Sequence, residues 1–208
     1  ELCKEFSAKA GVPVYATNDA NAAAIGEMTY GTAKGMKNFI VITLGTGVGS
    51  GIVINGQLVY GCDGFAGELG HVVIEHNGRQ CSCGRRGCWE AYSSATALIA
   101  MTKEKMEETR DTVMWELCEN GAKKVSGRTA FKAAKVGDKA GLEVVEKYID
   151  YLACGITNMI NIFQPEVLVI GGGVSKAGAI LTDNIQKHYV ETSFFACRDT
   201  KFALASLG

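Results

Sequence analysis

The amino-acid sequence predicts an α/β fold, a mixed sheet flanked by helices. Two observations carry that expectation. Residues 139–163 repeat apolar side chains at three- and four-residue intervals, then give way to a short apolar run, a triple glycine and a second helical stretch. Residues 39–60 instead read as three short apolar runs separated by glycine-containing turns, the pattern of a strand meander.

In chain order, Val12-Pro13-Val14-Tyr15 reads as a strand and residues 20–30, rich in alanine, as a helix. Phe39 to Leu44 is a strand, residues 45–51 a glycine-rich turn, Ile52-Val53-Ile54 a returning strand, Asn55-Gly56 a hairpin turn and Leu58-Val59-Tyr60 a third strand. Residues 91–135 read mostly as helices with polar faces. The long amphipathic helix over 139–163, marked by Val145, Ile149, Leu152, Ile156, Met159, Ile160 and Phe163, stops before Pro165. Glu166 to Ile170 is a buried strand, Gly171-Gly172-Gly173 a loop, and about Ser175 to Tyr189 a further helix.

Composition narrows the function. With 47% hydrophobic and 21% charged residues among 208, the chain has enough apolar matter for a sizeable core. A formal net charge of −1 supplies no electrostatic reason to bind nucleic acid or an anionic membrane. The opening residues, Glu1-Leu2-Cys3-Lys4-Glu5, form neither a secretory nor a membrane-spanning segment. Twenty-six glycines against 2 prolines, clustered between apolar runs, point to tight turns and not to disordered linkers. Eight cysteines raise the question of disulfides, but three of them crowd into residues 81–88, which favours a metal site in a reducing cytoplasm. Cys3, Cys62, Cys118, Cys154 and Cys197 are scattered and read as small buried hydrophobes.

Three groups of residues carry chemistry. His71 with Cys81, Cys83 and Cys88 offers three thiolates and an imidazole, a usual tetrahedral zinc set, with Gly84 and Gly87 to tighten the loop. A closed four-ligand set is structural, since catalytic zinc keeps an open position. The competing readings are a nucleic-acid knuckle helped by Arg85 and Arg86, or unrelated buried cysteines. Asn18-Asp19-Ala20-Asn21 stands where a strand meets a helix. Asp19 is there either a helix cap or a general base, at a place where the helix dipole favours negative charge. The turn at 45–51 is either a plain hairpin or an anion-binding nest of backbone N–H groups with the Thr46 hydroxyl. It is not a Walker loop, for it lacks the lysine and the following helix. Glu68 and Glu90 flank the metal motif, and carboxylates and an imidazole suit sugar hydroxyls. His76 and His188 have no comparable neighbours and read as surface residues.

Taken together, Asn18-Asp19-Ala20-Asn21, Gly45-Thr46-Gly47-Val48-Gly49, Gly67-Glu68-Leu69-Gly70-His71, the run from Cys81 to Glu90 and Gly171-Gly172-Gly173 resemble, in order, the motifs of the ROK family (repressor, open reading frame, kinase), most of all its glucokinase branch. The resemblance implies an actin-like, ribonuclease-H-like ATPase fold with a zinc-bound loop. It implies Asp19 as the catalytic base, with Asn18, Asp19, Glu68, His71 and Glu90 on the sugar. His71 would also ligate Zn2+ with Cys81, Cys83 and Cys88. Thr46 and Gly47 would face the phosphates of ATP with Mg2+, and Gly171, Gly172 and Gly173 would lie against the adenosine. The implied reaction is phosphorylation of glucose at its 6-hydroxyl, in a cytoplasmic homo-oligomer (dimer or tetramer) with no nucleic-acid or membrane partner. N-acetylglucosamine, N-acetylmannosamine or another hexose is the alternative substrate, and the sugar-sensing part of a transcriptional repressor the alternative role.

The family pattern also has an Asp-x-Gly-x-Thr phosphate loop in an N-terminal strand, which is not in this sequence. Residues 1–16 are therefore expected to be the end of an incomplete N-terminal lobe, and residues 17–208 a truncated C-terminal catalytic, sugar-binding and zinc-binding domain. By itself the chain is expected to lack kinase activity.

Overall fold

Phe39–Leu44 (β1), Val48–Ile54 (β2), Gln57–Leu58 (β3), Val167–Gly171 (β4) and Lys201–Leu204 (β5) form one sheet in a computed structural model that describes residues 1–119 and 121–207. The order is β3-β2-β1-β4-β5. β1–β2 and β2–β3 pair antiparallel, while β1–β4 and β4–β5 pair parallel, so the sheet is mixed as expected. Asn55 and Gly56, at φ 53° and 76°, make the tight turn between β2 and β3.

Alternation along β1 divides the core. Phe39 and Val41 point with Val53, Val167 and Val169 towards Ala24 on helix α2 (Asp19–Thr29). Ile40, Ile42 and Leu44 point the other way, with Leu168 and Ile170, towards α7 (Lys139–Phe163) and α8 (Ala179–Thr192). The remaining helices are α1 (Leu2–Ala10), α3 (Glu90–Ser93), α4 (Ala95–Glu108), α5 (Met114–Leu117) and α6 (Thr129–Lys135). No helix among the described residues is long and apolar enough to cross a membrane.

α7 occupies the predicted residues. The Asp138 side chain accepts from Gly141 N–H at 2.7 Å to cap its start, and Gln164, at φ 44°, closes it one residue before Pro165.

Several expectations are corrected. Val12–Tyr15 is not a strand: Pro13 has no N–H to give a ladder, and Val14 N–H donates to Ser7 Oγ of α1, a helix the composition did not reveal. The turn expected over 45–51 is only residues 45–47, because β2 already starts at Val48. Gly49 and Gly51 are strand residues, and their lack of a side chain admits α2: a Cβ on Gly51 would stand 2.5 Å from Ala24 Cβ. The third strand is shorter than Leu58–Tyr60, as the chain leaves the sheet towards Gly61, at φ 72°. The helix expected over 175–189 is a 3₁₀ turn (Gly173–Ala177) and then α8, separated by Gly178 at φ 72°, ψ −142°. The helices of 91–135 have buried faces, including Leu98, Met101, Met106, Met114 and Phe131. Of the five scattered cysteines only Cys118 is buried. His188 does have company, with Nδ1 2.9 Å from Asp150 Oδ1.

Candidate functional site

Local capping decides the roles of Asn18 and Asp19. Asn18 Oδ1 accepts from Ala20 N–H at 2.8 Å and Asn21 N–H at 3.2 Å, so Asn18 is the cap of α2. Asp19 is the first residue of the helix. One of its oxygens accepts from Ala20 N–H at 2.8 Å, and the carboxylate stays exposed. Asn18 lines a cleft of about 420 Å³ with Thr17, Asn21, Ser50, Tyr60, Phe65 and Glu68. Buried Ser50 fixes the far wall: its hydroxyl donates to Gly67 C=O and accepts from Leu69 N–H at 3.3 Å, which ties the Gly67–His71 segment to β2.

Glu90 faces elsewhere. Its Oε2 accepts from Val48 N–H at 3.0 Å, directly after the hairpin 45–47, and its Oε1 accepts from Ser82 Oγ at 3.1 Å. One carboxylate thus ties the β1–β2 hairpin to the cysteine loop. Thr46, Gly47, Cys81, Ser82 and Glu90 share a second cleft, of about 680 Å³, that also holds Arg79. The five residues expected on the sugar are therefore divided: Asn18 and Glu68 line one cleft, Glu90 another, and Asp19 and His71 neither.

The cysteine loop is built by backbone pairing. Val73 and Gln80 bridge Cys88 and Arg86, Cys81 N–H donates to Arg85 C=O at 2.9 Å, and Gly84 and Gly87 supply φ of 87° and 81°. The ligand atoms of His71, Cys81, Cys83 and Cys88 all lie within 4.8 Å of one another. Cys83 Sγ is 3.7 Å from Cys88 Sγ, and Cys81 Sγ is 3.6 Å from His71 Nδ1. Metal–sulfur bonds of about 2.3 Å at tetrahedral angles place ligand atoms roughly 3.8 Å apart, so the donor set fits zinc. A backbone N–H from Arg85 holds the Cys83 thiol below its ordinary value, whereas burial pushes Cys88 up to about 12. A cation among them would remove both protons.

Trp89, fully buried, anchors this loop to the core by donating its indole N–H to Tyr151 C=O of α7 at 3.0 Å. Gly171 and Gly172 line a small cavity of about 230 Å³ with Gly26 and Glu27. Gly173 lines another, of about 340 Å³, with Arg128, Lys132, Lys135 and Lys176. Sequence reasoning missed Ser50, Ser82, Trp89 and Asn21. The last sits inside a motif it singled out, and the position of Ser82 between two metal-type cysteines was the other available signal.

The ROK family model matches residues 1–207. A glucokinase of Thermotoga maritima is 39% identical over 190 residues, 91% of this chain and 60% of that protein. A xylose repressor of Bacillus spizizenii is 36% identical over 178 residues, 86% of this chain and 42% of the repressor. The crystal structure of a ROK family glucokinase from Streptomyces griseus, in complex with glucose and AMPPNP, superposes with a TM-score of 0.90 at 32% identity, covering 100% of this chain and 68% of that one. The architecture is thus the actin-like, ribonuclease-H-like ATPase fold. The chain spans about 60% of the length of the glucokinase it matches.

Proposed function

Because the chain belongs to the ROK family, we propose that it is the catalytic, hexose-binding and zinc-binding part of a kinase that transfers the γ-phosphoryl group of ATP to the 6-hydroxyl of glucose. Residues 17–208 carry these sites on this reading, and residues 1–16 end a neighbouring lobe. One observation carries it: Asn18 takes the capping role, which leaves the Asp19 carboxylate exposed beside a cleft lined by two hydroxyl-binding side chains, Asn18 and Glu68. If Asp19 were needed as the cap it would be a structural residue; relieved of that, it is free to accept a proton.

The chain's residues divide the work. Asn18 and Glu68 hold sugar hydroxyls; on the family pattern His71 and Glu90 join them, Glu90 from the neighbouring cleft where its carboxylate braces the hairpin. Asp19 takes the proton of the attacking hydroxyl, the one bond-making step that asks chemistry of the protein. Thr46 and Gly47 offer a hydroxyl and backbone N–H groups to the phosphates, and Gly171 to Gly173 lie against the adenosine on this reading. Bound Mg2+ would supply charge neutralisation at the phosphate oxygens. His71, Cys81, Cys83 and Cys88 would hold Zn2+, which stiffens the loop carrying Ser82 and Glu90 and takes no part in the transfer.

The test is Asp19→Asn in the intact protein, assayed with ATP, magnesium and glucose. Turnover should fall by roughly 10²–10⁴ while glucose binding survives. A variant within a few-fold of the parent means that the base lies elsewhere. The similarity to xylose repressors supports a second reading, a sugar sensor that does no chemistry. A sensor needs no base, so an intact protein that binds a hexose and turns over none of it would favour that role. Running N-acetylglucosamine, N-acetylmannosamine and other hexoses in the same assay ranks the substrates.

A further inference from the structure

Asn21 is one of four residues whose buried side-chain polar atom has no hydrogen-bond partner among the described residues. It is 3% exposed, and its side chain makes no hydrogen bond to any described residue. Its Oδ1 is closed to solvent as well, so no water satisfies it in this conformation. A buried acceptor without a partner costs about 1–3 kcal/mol. Ser93 and Ser193 also bury unpartnered hydroxyls, and Trp115 an unpartnered indole N–H beside a separate cavity of about 500 Å³, but none of the three lines the cleft of Asn18 and Glu68. Asn21 lines the 420 Å³ cleft of Asn18, Ser50 and Glu68.

Its backbone explains why the side chain sits there. Asn21 is the third residue of α2, and its N–H is consumed by the Asn18 cap. The cap therefore locks the first turn and sets the amide group one turn inside the cleft wall. The terminal torsion of asparagine is broad and two-fold, so the head group can turn without leaving its rotamer. A sugar hydroxyl both donates and accepts, and would serve either face of that amide.

Resting on the hexose-kinase reading above, we propose that Asn21 is a further substrate-binding residue, its buried amide oxygen unpaired in the described chain and paired by a hydroxyl of the hexose when sugar binds. The ligand then recovers a desolvation cost that the fold has already met, which sharpens selection for a sugar with a hydroxyl at that position. The pairing also raises the dependence of stability on bound sugar.

The experiment compares the intact parent with Asn21→Leu, of similar size and apolar, and with Asn21→Ala. Thermal melting without sugar, KM for glucose and KM for ATP are measured for each. The expected result is a Tm for Asn21→Leu equal to or above the parent's, because no described residue pairs with the amide oxygen. KM for glucose should rise about tenfold in whichever variants fold, with KM for ATP unchanged. Unchanged glucose KM in the folded variants overturns the proposal. So does a Tm lowered by several degrees in Asn21→Leu, which would reveal a partner within the protein. A parent that binds no hexose at all fails the underlying reading first, and is recognised by the parent's own curve.

Discussion

Gly155 lies in the middle of α7, where helix propensity alone favours alanine by about 1 kcal/mol. The structure predicts the opposite outcome. A Cβ there would stand 2.2 Å from Cε2 and 2.3 Å from Nε1 of Trp89. Carbon contacts settle near 3.5–4.0 Å, so the indole must retreat by about 1 Å or more. Trp89 is fully buried and has no solvent to retreat into. Overpacking of this kind costs about 1–3 kcal/mol. The retreat also breaks the 3.0 Å bond from the indole N–H to Tyr151 C=O, leaving a buried donor unpaired. That adds about 1–3 kcal/mol. Subtracting the propensity gain leaves a net loss of about 1–5 kcal/mol for Gly155→Ala, with about 3 in the middle. For a chain of this size each kcal/mol lowers Tm by about 2–4 °C, so a fall of about 6–12 °C is expected. Urea denaturation gives the free energy, and thermal melting the shift. Trp89 also stands between Cys88 and Glu90, so zinc retention should weaken in the same variant. The control is a cycle with Trp89→Leu: once the indole is gone, Gly155→Ala should become neutral or stabilising. A Gly155→Ala protein at least as stable as its parent would refute the reasoning, for it would show that the indole has room to move.

Three further outcomes are expected. Protein purified without chelator should carry about one equivalent of zinc, and Cys81→Ser should lose it along with several degrees of Tm. Since Cys88 keeps its proton up to about 12 without a cation, binding must release protons, and zinc affinity should fall as pH falls; a pH-independent affinity would contradict the thiolate set. Asp138 is subject to a desolvation cost, yet N–H groups of Gly141 and Val113 and the Thr112 hydroxyl hold its carboxyl below the usual value. Asp138→Ala should therefore cost about 2–3 kcal/mol. That contribution is fully present above the unfolded value, about pH 4, and is lost as pH falls through the depressed folded one. Urea midpoints across pH 2–7 should show the two proteins converging at the acid end; a gap constant over that range would mean that the carboxylate's charge contributes nothing.

Much of the site was legible from spacing. Four metal-type ligands within eighteen residues, with glycines at the turns, can meet without help from the rest of the chain, and they do. The Asn18–Asn21 motif was equally visible, but its internal assignment was not. Cap and base are both chemically plausible for Asp19, and only backbone geometry shows that Asn18 takes the cap. Glu90 was expected on the sugar from its nearness to Cys88; what its sequence position could not show is that the carboxylate also reaches Val48, forty-two positions away in sequence.

The sequence by itself determined the elements whose causes are local. The 3.6-residue period over 139–163, the apolar run before the triple glycine and the Asn-Gly turn each act within a few residues, and each stands where it was expected. Tertiary structure decided whatever depends on a partner distant in the chain. Gly49 and Gly51 belong to a strand and not to a phosphate turn because they pair with Thr43 and Val41 of β1, and their missing side chains admit Ala20 and Ala24. Gly155 is a seat for Trp89, sixty-six residues earlier. Val12–Tyr15 has the composition of a strand but pairs with no strand among the described residues. The physical reason is common to all three: propensity and period are properties of a segment, whereas close packing and strand pairing are properties of two segments and exist only once the fold brings them together.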